Sequence, residues 1–198
     1  MIMIYRFKEG NKLETKRRCC RTKPQTNLYN RFRMLWEQHD VWTRETISGI
    51  VFELPNLDVT ITRLLRNPVD MANVFRIFYG QKVAMRIQEL FTTHLTLAAD
   101  LVNAAKAGDE RAVARINREW FRNADEIAAF LARINPFWSL RFWEEMMHHH
   151  LKLVTKEAVF LLEEQYEKNV RIYDEIEAQT LEMADEMARG IIRQFHVR

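Results

Sequence analysis

LWEQHDVW at Leu35–Trp42, LFTTHLTL at Leu90–Leu97 and MMHHHLKL at Met146–Leu153 decide the reading of this chain, because each places a histidine four residues after a leucine or methionine. The histidines His39, His94 and His150 lie 55 and then 56 residues apart. A period of that size points to one supersecondary unit copied in tandem. Residues 90–135 laid over 146–191 without a gap match at His94/His150, Leu97/Leu153, Ile116/Ile172, Glu119/Glu175, Ala128/Ala184 and Arg133/Arg189, among others. The first copy is more diverged. It keeps Arg66-Asn67 against Arg122-Asn123 and Asp70-Met71-Ala72 against Glu126-Ile127-Ala128, then loses register by one residue upstream.

The composition fits a helical domain. In 198 residues there are only five Gly and four Pro, 47% are hydrophobic, and long runs are rich in Ala, Glu, Leu, Met and Arg, which favour helix over sheet. The length suits a single domain with a sizeable core. Charge is uneven: residues 1–26 carry eight basic and two acidic side chains, +6, so the remaining −3 lies in the body. That gives a basic, disordered leader at 1–26 and one bundle domain at 27–198. The body has no overall basic face for nucleic acid, and the leader lacks the aromatic interleaving of a specific nucleic-acid reader. MIMIYRF at the start is too short an apolar run for a secretory signal, and no stretch reaches transmembrane length. The only cysteines, Cys19 and Cys20, are adjacent and permit neither a disulfide framework nor a zinc knuckle, so a reducing cytoplasm is the expected location.

Punctuation along the body marks out the helices. Leu28, Phe32, Leu35, His39, Trp42, Thr46 and Gly49 recur at spacings of four and three and trace one face of a helix over 27–52, ended by Leu54-Pro55-Asn56. A short helix from Asp58 stops at Asn67-Pro68, where Asn67 caps the next piece and Gly80 closes it. The helix over 82–107 has a seam of Val83, Ile87, Leu90, His94, Leu97, Leu101 and Ala104. Gly108-Asp109 then supply a left-handed C-cap and an N-cap for a helix over 109–134, with Trp120, Asn123 and Ile127 on its seam. Ser139 opens a fifth helix. From there to Arg189 the sequence has neither Gly nor Pro, yet Gly108-Asp109 align with Glu164-Gln165, and that register predicts a turn near 163–168 before a last helix over 168–195. The resulting fold class is all-α: three helical hairpins in up-and-down order, the last two forming a four-helix bundle against which the first packs.

The histidines are the sharpest functional signal. His39, His94 and His150 each occupy the apolar seam of the first helix of a hairpin, where leucine would stabilise the core and an imidazole needs a partner. At equal height on three parallel helices they are either core residues paired to backbone or side chains, or ligands converging on one metal. Glu157, two turns beyond His150 on the same seam, replaces an expected aliphatic and is the carboxylate candidate. Such a set suits iron, zinc or manganese bound between helices, with no nucleotide cofactor.

Other features have plainer readings. The row Arg115, Glu119, Glu126, Arg133 and its counterpart Arg171, Glu175, Glu182, Arg189 alternate in charge at helical spacing, the dressing of a solvated flank. His148 projects away from the seam, so Glu145-x-x-His148 points outward, and His149 lies on a flank. Trp42 and Trp120 belong to seams. Trp138 and Trp143 flank the turn after Asn135-Pro136, where they either staple hairpins together or, left exposed, favour a homodimer. No phosphate-binding Gly-rich loop, nucleophile elbow or CxxC occurs.

The strings LWEQHDVWTR, HLTLAADLVNAAKAGD, NADEIAAFLARINPFW and LEMADEMARGIIRQF resemble a family of short all-helical proteins of Gram-positive bacteria that is often labelled acetylglutamate kinase, over residues 35–195. The label implies an α/β amino-acid kinase with Gly-rich strand–loop elements for ATP. This sequence contains no such elements, and no catalytic residue is carried over. The seam histidines are also similar, in architecture alone, to hemerythrin-like and ferritin-like bundles, whose HxxxE, HxxxH and inward ExxH spacings are absent. The leading specific reading is therefore a metal-binding bundle using His39, His94, His150 and Glu157; the plainer rival is a structural or interaction module whose histidines are satisfied core residues, and the kinase activity of the label comes third.

Overall fold

The computed structural model describes residues 21–198, and their regular structure is helical throughout: α1 (Lys23–Phe52), α2 (Leu57–Leu64), α3 (Arg66–Lys106), α4 (Glu110–Ile134), α5 (Leu140–Leu162) and α6 (Tyr166–Phe195). No strand occurs among the described residues. α1 begins earlier than its apolar seam. The Thr22 hydroxyl accepts from the Gln25 backbone N–H at 3.5 Å while Gln25 Oε1 accepts from the Thr22 N–H at 3.1 Å, and Pro24 sits in the first turn. This capping box draws 23–26 into the helix, so the leader boundary at 26 is corrected. Residues 1–20 of the expected leader, with Cys19 and Cys20, lie outside the described residues.

Asn67 departs from its expected role as a cap. α3 starts at Arg66, and Asn67 is fully buried, donating from Nδ2 to the Leu35 carbonyl on α1 at 2.8 Å. Pro68 does fall in the first turn, where its missing N–H leaves no helical bond unmade. Gly80 adopts φ 77°, ψ 179° and divides α3 into arms over 66–79 and 81–106, a conformation that needs glycine.

The turn expected near 163–168 occurs at 163–165 and shares its backbone with the turn at 107–109. Gly108 (φ 70°) and Glu164 (φ 58°) are both left-handed. The Asp109 and Gln165 N–H groups return to Ala104 O at 3.1 Å and Phe160 O at 2.7 Å, and the Gly108 and Glu164 N–H groups to Ala105 O at 3.1 Å and Leu161 O at 3.2 Å. These paired bonds satisfy carbonyls that a helix end leaves open.

The long helices close into a ring. α1 packs between α3 and α6, α3 against α4, α4 against α5 and α5 against α6, and α1 also touches α5. The first helix is thus part of the ring wall rather than an addition to a finished four-helix bundle. Core residues include Phe32, Trp36, Phe75, Phe91, Trp120 and Trp143, and burying each such side chain stabilises the fold by about 1.5–3 kcal/mol. Trp42, expected in the core, is only half-buried, with the Arg63 guanidinium 5.0 Å above its ring.

Trp138 and Trp143 are buried, 2% and 0% exposed. The Trp138 indole lies over Gly190 of α6, donates from Nε1 to Glu186 O at 3.0 Å, and packs against Phe75, Tyr79 and Trp143. It staples α3, α5 and α6, and the exposed aromatic surface that favoured a homodimer is absent at these two residues. The alternating charges do form a flank: Arg115 meets Glu119 at 3.5 Å and Glu126 meets Arg86 of α3 at 3.3 Å, all half-exposed. No described helix is long and apolar enough to cross a membrane.

Candidate functional site

Because α1, the second arm of α3 and α5 run in the same direction, their seam histidines can stand at one level. The ring centroids of His39 and His150 are 5.7 Å apart, His94 and His150 6.3 Å, and His39 and His94 6.4 Å. Each imidazole is 2% exposed. Trp36 packs against His39 and His150, and Trp120 against His94. The structure thus brings His39, His94 and His150 together.

Two amide side chains orient rings, and a third stands beside His39. Asn123 Nδ2 donates to Leu90 O at 3.2 Å, which turns its Oδ1 toward His94 Nδ1 at 3.1 Å. Gln179 does the same from α6, donating from Nε2 to Met146 O at 3.0 Å and presenting Oε1 to His150 Nδ1 at 3.1 Å. Asn67 donates to Leu35 O and neighbours His39, although His39 Nδ1 and Asn67 Oδ1 stand outside ordinary hydrogen-bond geometry. In each case the carbonyl belongs to the residue four before the histidine. An amide oxygen only accepts, so His94 and His150 carry their proton on Nδ1 and leave a lone pair on Nε2. No Nε2 of the three makes a hydrogen bond among the described residues.

Electrostatics keep the rings neutral. Burial pushes His39 well below its ordinary 6.5, and its neighbours His150 and His94 push it further, against Asn67. Burial likewise lowers His94 to about 3 and His150 to about 4. The charges acting on the three imidazoles come from histidines alone, and no carboxylate is among them.

Glu157 is accordingly not brought to the imidazoles. It lies two turns along α5, about 10 Å away in helix rise, and its carboxylate takes the Arg44 guanidinium at 2.5 Å. Arg44 also donates to Asn169 Oδ1 at 2.6 Å. Burial raises the Glu157 carboxyl to about 7 despite Arg44. Next to it, Asp40 is buried between α1 and α6, accepts the Thr180 hydroxyl, and is raised well above its ordinary 3.8 by burial. As the side chains stand, no group of three or more His, Cys, Asp or Glu among the described residues is arranged to hold a metal ion.

The orienting amides were missed as partners, although a signal for them exists. Asn67, Asn123 and Gln179 are spaced by 56 residues, each a polar side chain at a position that packing would make apolar. His148 and His149 lie outside the centre. His148 faces outward, its Nε2 at 2.6 Å from Asp125 of α4, and His149 is exposed. No protein-family model, curated protein or solved structure shows significant similarity to this chain.

Proposed function

We propose that the bundle binds one metal ion through Nε2 of His39, His94 and His150. The observation that carries this reading is the pair of amides behind His94 and His150: they fix Nδ1–H outward and leave Nε2 lone pairs in the buried interior with no protein donor to meet them. Ligating histidines are commonly held by an acceptor on the second ring nitrogen, and burial favours the neutral form that ligates. With metal–nitrogen bonds of about 2.0–2.1 Å, an ion shared by the three rings requires centroids closer than the 5.7–6.4 Å found, so the imidazoles would turn and move inward to hold it. An all-imidazole set without Glu157 favours zinc or iron over manganese, and three ligands leave a coordination position open. The shared hydrogen-bond pattern of the histidines and amides also supports reading the three hairpins as copies of one unit.

A second reading is a metal-free scaffold in which the histidines only pack. It draws on the ring separations, which are wider than a closed metal centre requires. Cobalt(II) titration of tag-free protein decides between them. One equivalent with tetrahedral visible bands, lost in His94→Leu and kept in His149→Ala, is the expected result. Absence of those bands in the wild type, with a His94→Leu variant at least as stable, would eliminate the metal centre.

A further inference from the structure

The geometry points to a second, adjoining site: a cavity one helical turn beyond the imidazoles that binds an uncharged, chain-like apolar molecule carrying one hydroxyl or carbonyl oxygen. The cavity has a volume of about 420 Å³, within the range usual for small-molecule sites. Thr43, Ala98 and Val154 line it, and each follows one of the three histidines by four residues on α1, α3 and α5. The inner end therefore lies about 6 Å in helix rise past the imidazoles. Trp120, which packs against His94, lines the same end.

The chemistry of the wall selects the occupant. Most lining side chains are apolar, Asn117 and the threonines excepted, so water filling the space would find few partners, while an empty void of this size would forfeit packing. The one charged lining residue among those described is Glu110, exposed at the α3–α4 turn where the cavity opens, and its carboxylate disfavours an anionic ligand. Thr46 and Thr155 bond their own helix carbonyls at 2.8 Å. Thr43 and Trp120, 8% and 2% exposed, instead carry a hydroxyl and an indole N–H with no partner. Neither atom shows surface to the cavity as the side chains stand, so a ligand oxygen at the inner end would meet the Thr43 hydroxyl after rotation about its χ1. From Leu95 to Ala105 the α3 wall is about 15 Å long, which matches a chain of roughly ten to twelve carbons. The proposal rests on the cavity and not on the metal.

Isothermal calorimetry with tag-free, chelator-treated protein and 1-alkanols from hexanol to tetradecanol tests this. Saturable one-to-one binding is expected, tightening roughly fourfold per methylene and levelling off near twelve carbons. Decanoate at neutral pH should bind at least tenfold more weakly than decanol, and Ala98→Phe should abolish binding. Thr43→Val should weaken decanol several-fold while leaving the chain-length trend intact. Heats that never saturate, affinity that rises without a break to tetradecanol, or unchanged binding in a folded Ala98→Phe protein would each overturn the site. If Ala98→Phe does not fold, the wild-type length series still decides. Alkanol binding by a protein that takes up no cobalt would retain the cavity and reject the metal centre, and the converse result would do the opposite.

Discussion

Acidifying the metal-free protein tests the neutral interior directly. In the unfolded chain the three seam histidines titrate near 6.5, whereas burial in the fold lowers His39 well below that, His94 to about 3 and His150 to about 4. Between those limits the unfolded chain holds three more protons on these rings than the folded one. The stability they contribute is fully present above pH 6.5 and is lost as pH falls, at about 1.4 kcal/mol per pH unit for each ring. Two buried carboxyls oppose them. Burial raises Asp40 well above 3.8 and Glu157 from 4.5 to about 7, so the fold retains protons that the unfolded chain has released, and their contribution is lost as pH rises. Between pH 4.5 and 6.5 the rings thus make acidification destabilising, and the raised carboxyls, with Glu37 raised in the same direction, offset part of that loss. Glu157→Gln removes one opposing group and should steepen the loss on acidification by about 1.4 kcal/mol per pH unit. Urea unfolding followed by far-ultraviolet circular dichroism, in half-unit steps from pH 4.5 to 7 with chelator present, measures both slopes. Stability of Glu157→Gln that is flat or increases toward pH 4.5 would refute the neutral burial of the imidazoles, and a slope unchanged from the wild type would refute the raised carboxyl.

Three further outcomes are expected. A Cβ at residue 190 would stand 1.9 Å from Trp138 Nε1, so Gly190→Ala should displace the indole and cost about 1–3 kcal/mol in urea unfolding; a neutral effect would contradict the close approach. In nitrogen-15 correlation spectra of the metal-free protein, His94 and His150 should appear as Nδ1–H tautomers. Asn123→Ala should release that preference at His94 alone and destabilise by about 1–3 kcal/mol, and a spectrum unmoved by the substitution would remove the amide's orienting role. Glu164 holds a left-handed conformation that Gly108 adopts in the matching turn, so Glu164→Gly should stabilise the protein by about 0.5–1 kcal/mol, read as a rise in the urea midpoint, with a fall arguing against that backbone.

The parts of the fold legible in the sequence are those written in local chemistry or in register. The Gly108-Asp109 turn announces itself, and alignment carries it onto Glu164-Gln165, where no local residue signals a break. The start of α1 was equally local in Thr22 and Gln25, but those residues sit inside a run of basic charge that dominates the composition. Asn67 shows the limit of local reading. An asparagine before proline reads as a helix cap, and only packing against α1 makes it a buried donor to the Leu35 carbonyl beside His39. Glu157 was rightly placed on the seam, yet its partner Arg44 is 113 residues away in sequence, and nothing short of the assembled ring couples them. Trp138 is buried because Gly190, 52 residues later, leaves room for it. The cavity is a gap between five helices and has no signature in any one of them.

The ring imposes an order on biosynthesis. α1 is the first of the described helices to be made and α6 the last, yet they are neighbours along their length, tied by Arg33 to Asp185 at 2.5 Å and by Gln25 to Val197 O at 2.9 Å. Loop closure over so long a span is entropically costly, so an emerging chain can assemble the nearby pairs α3–α4 and α5–α6 well before α1 has its second wall. Until α6 arrives, His150 lacks Gln179 and one flank of α1 faces water. A polypeptide interrupted before the last helix would hold all three histidines and still present no ordered trio.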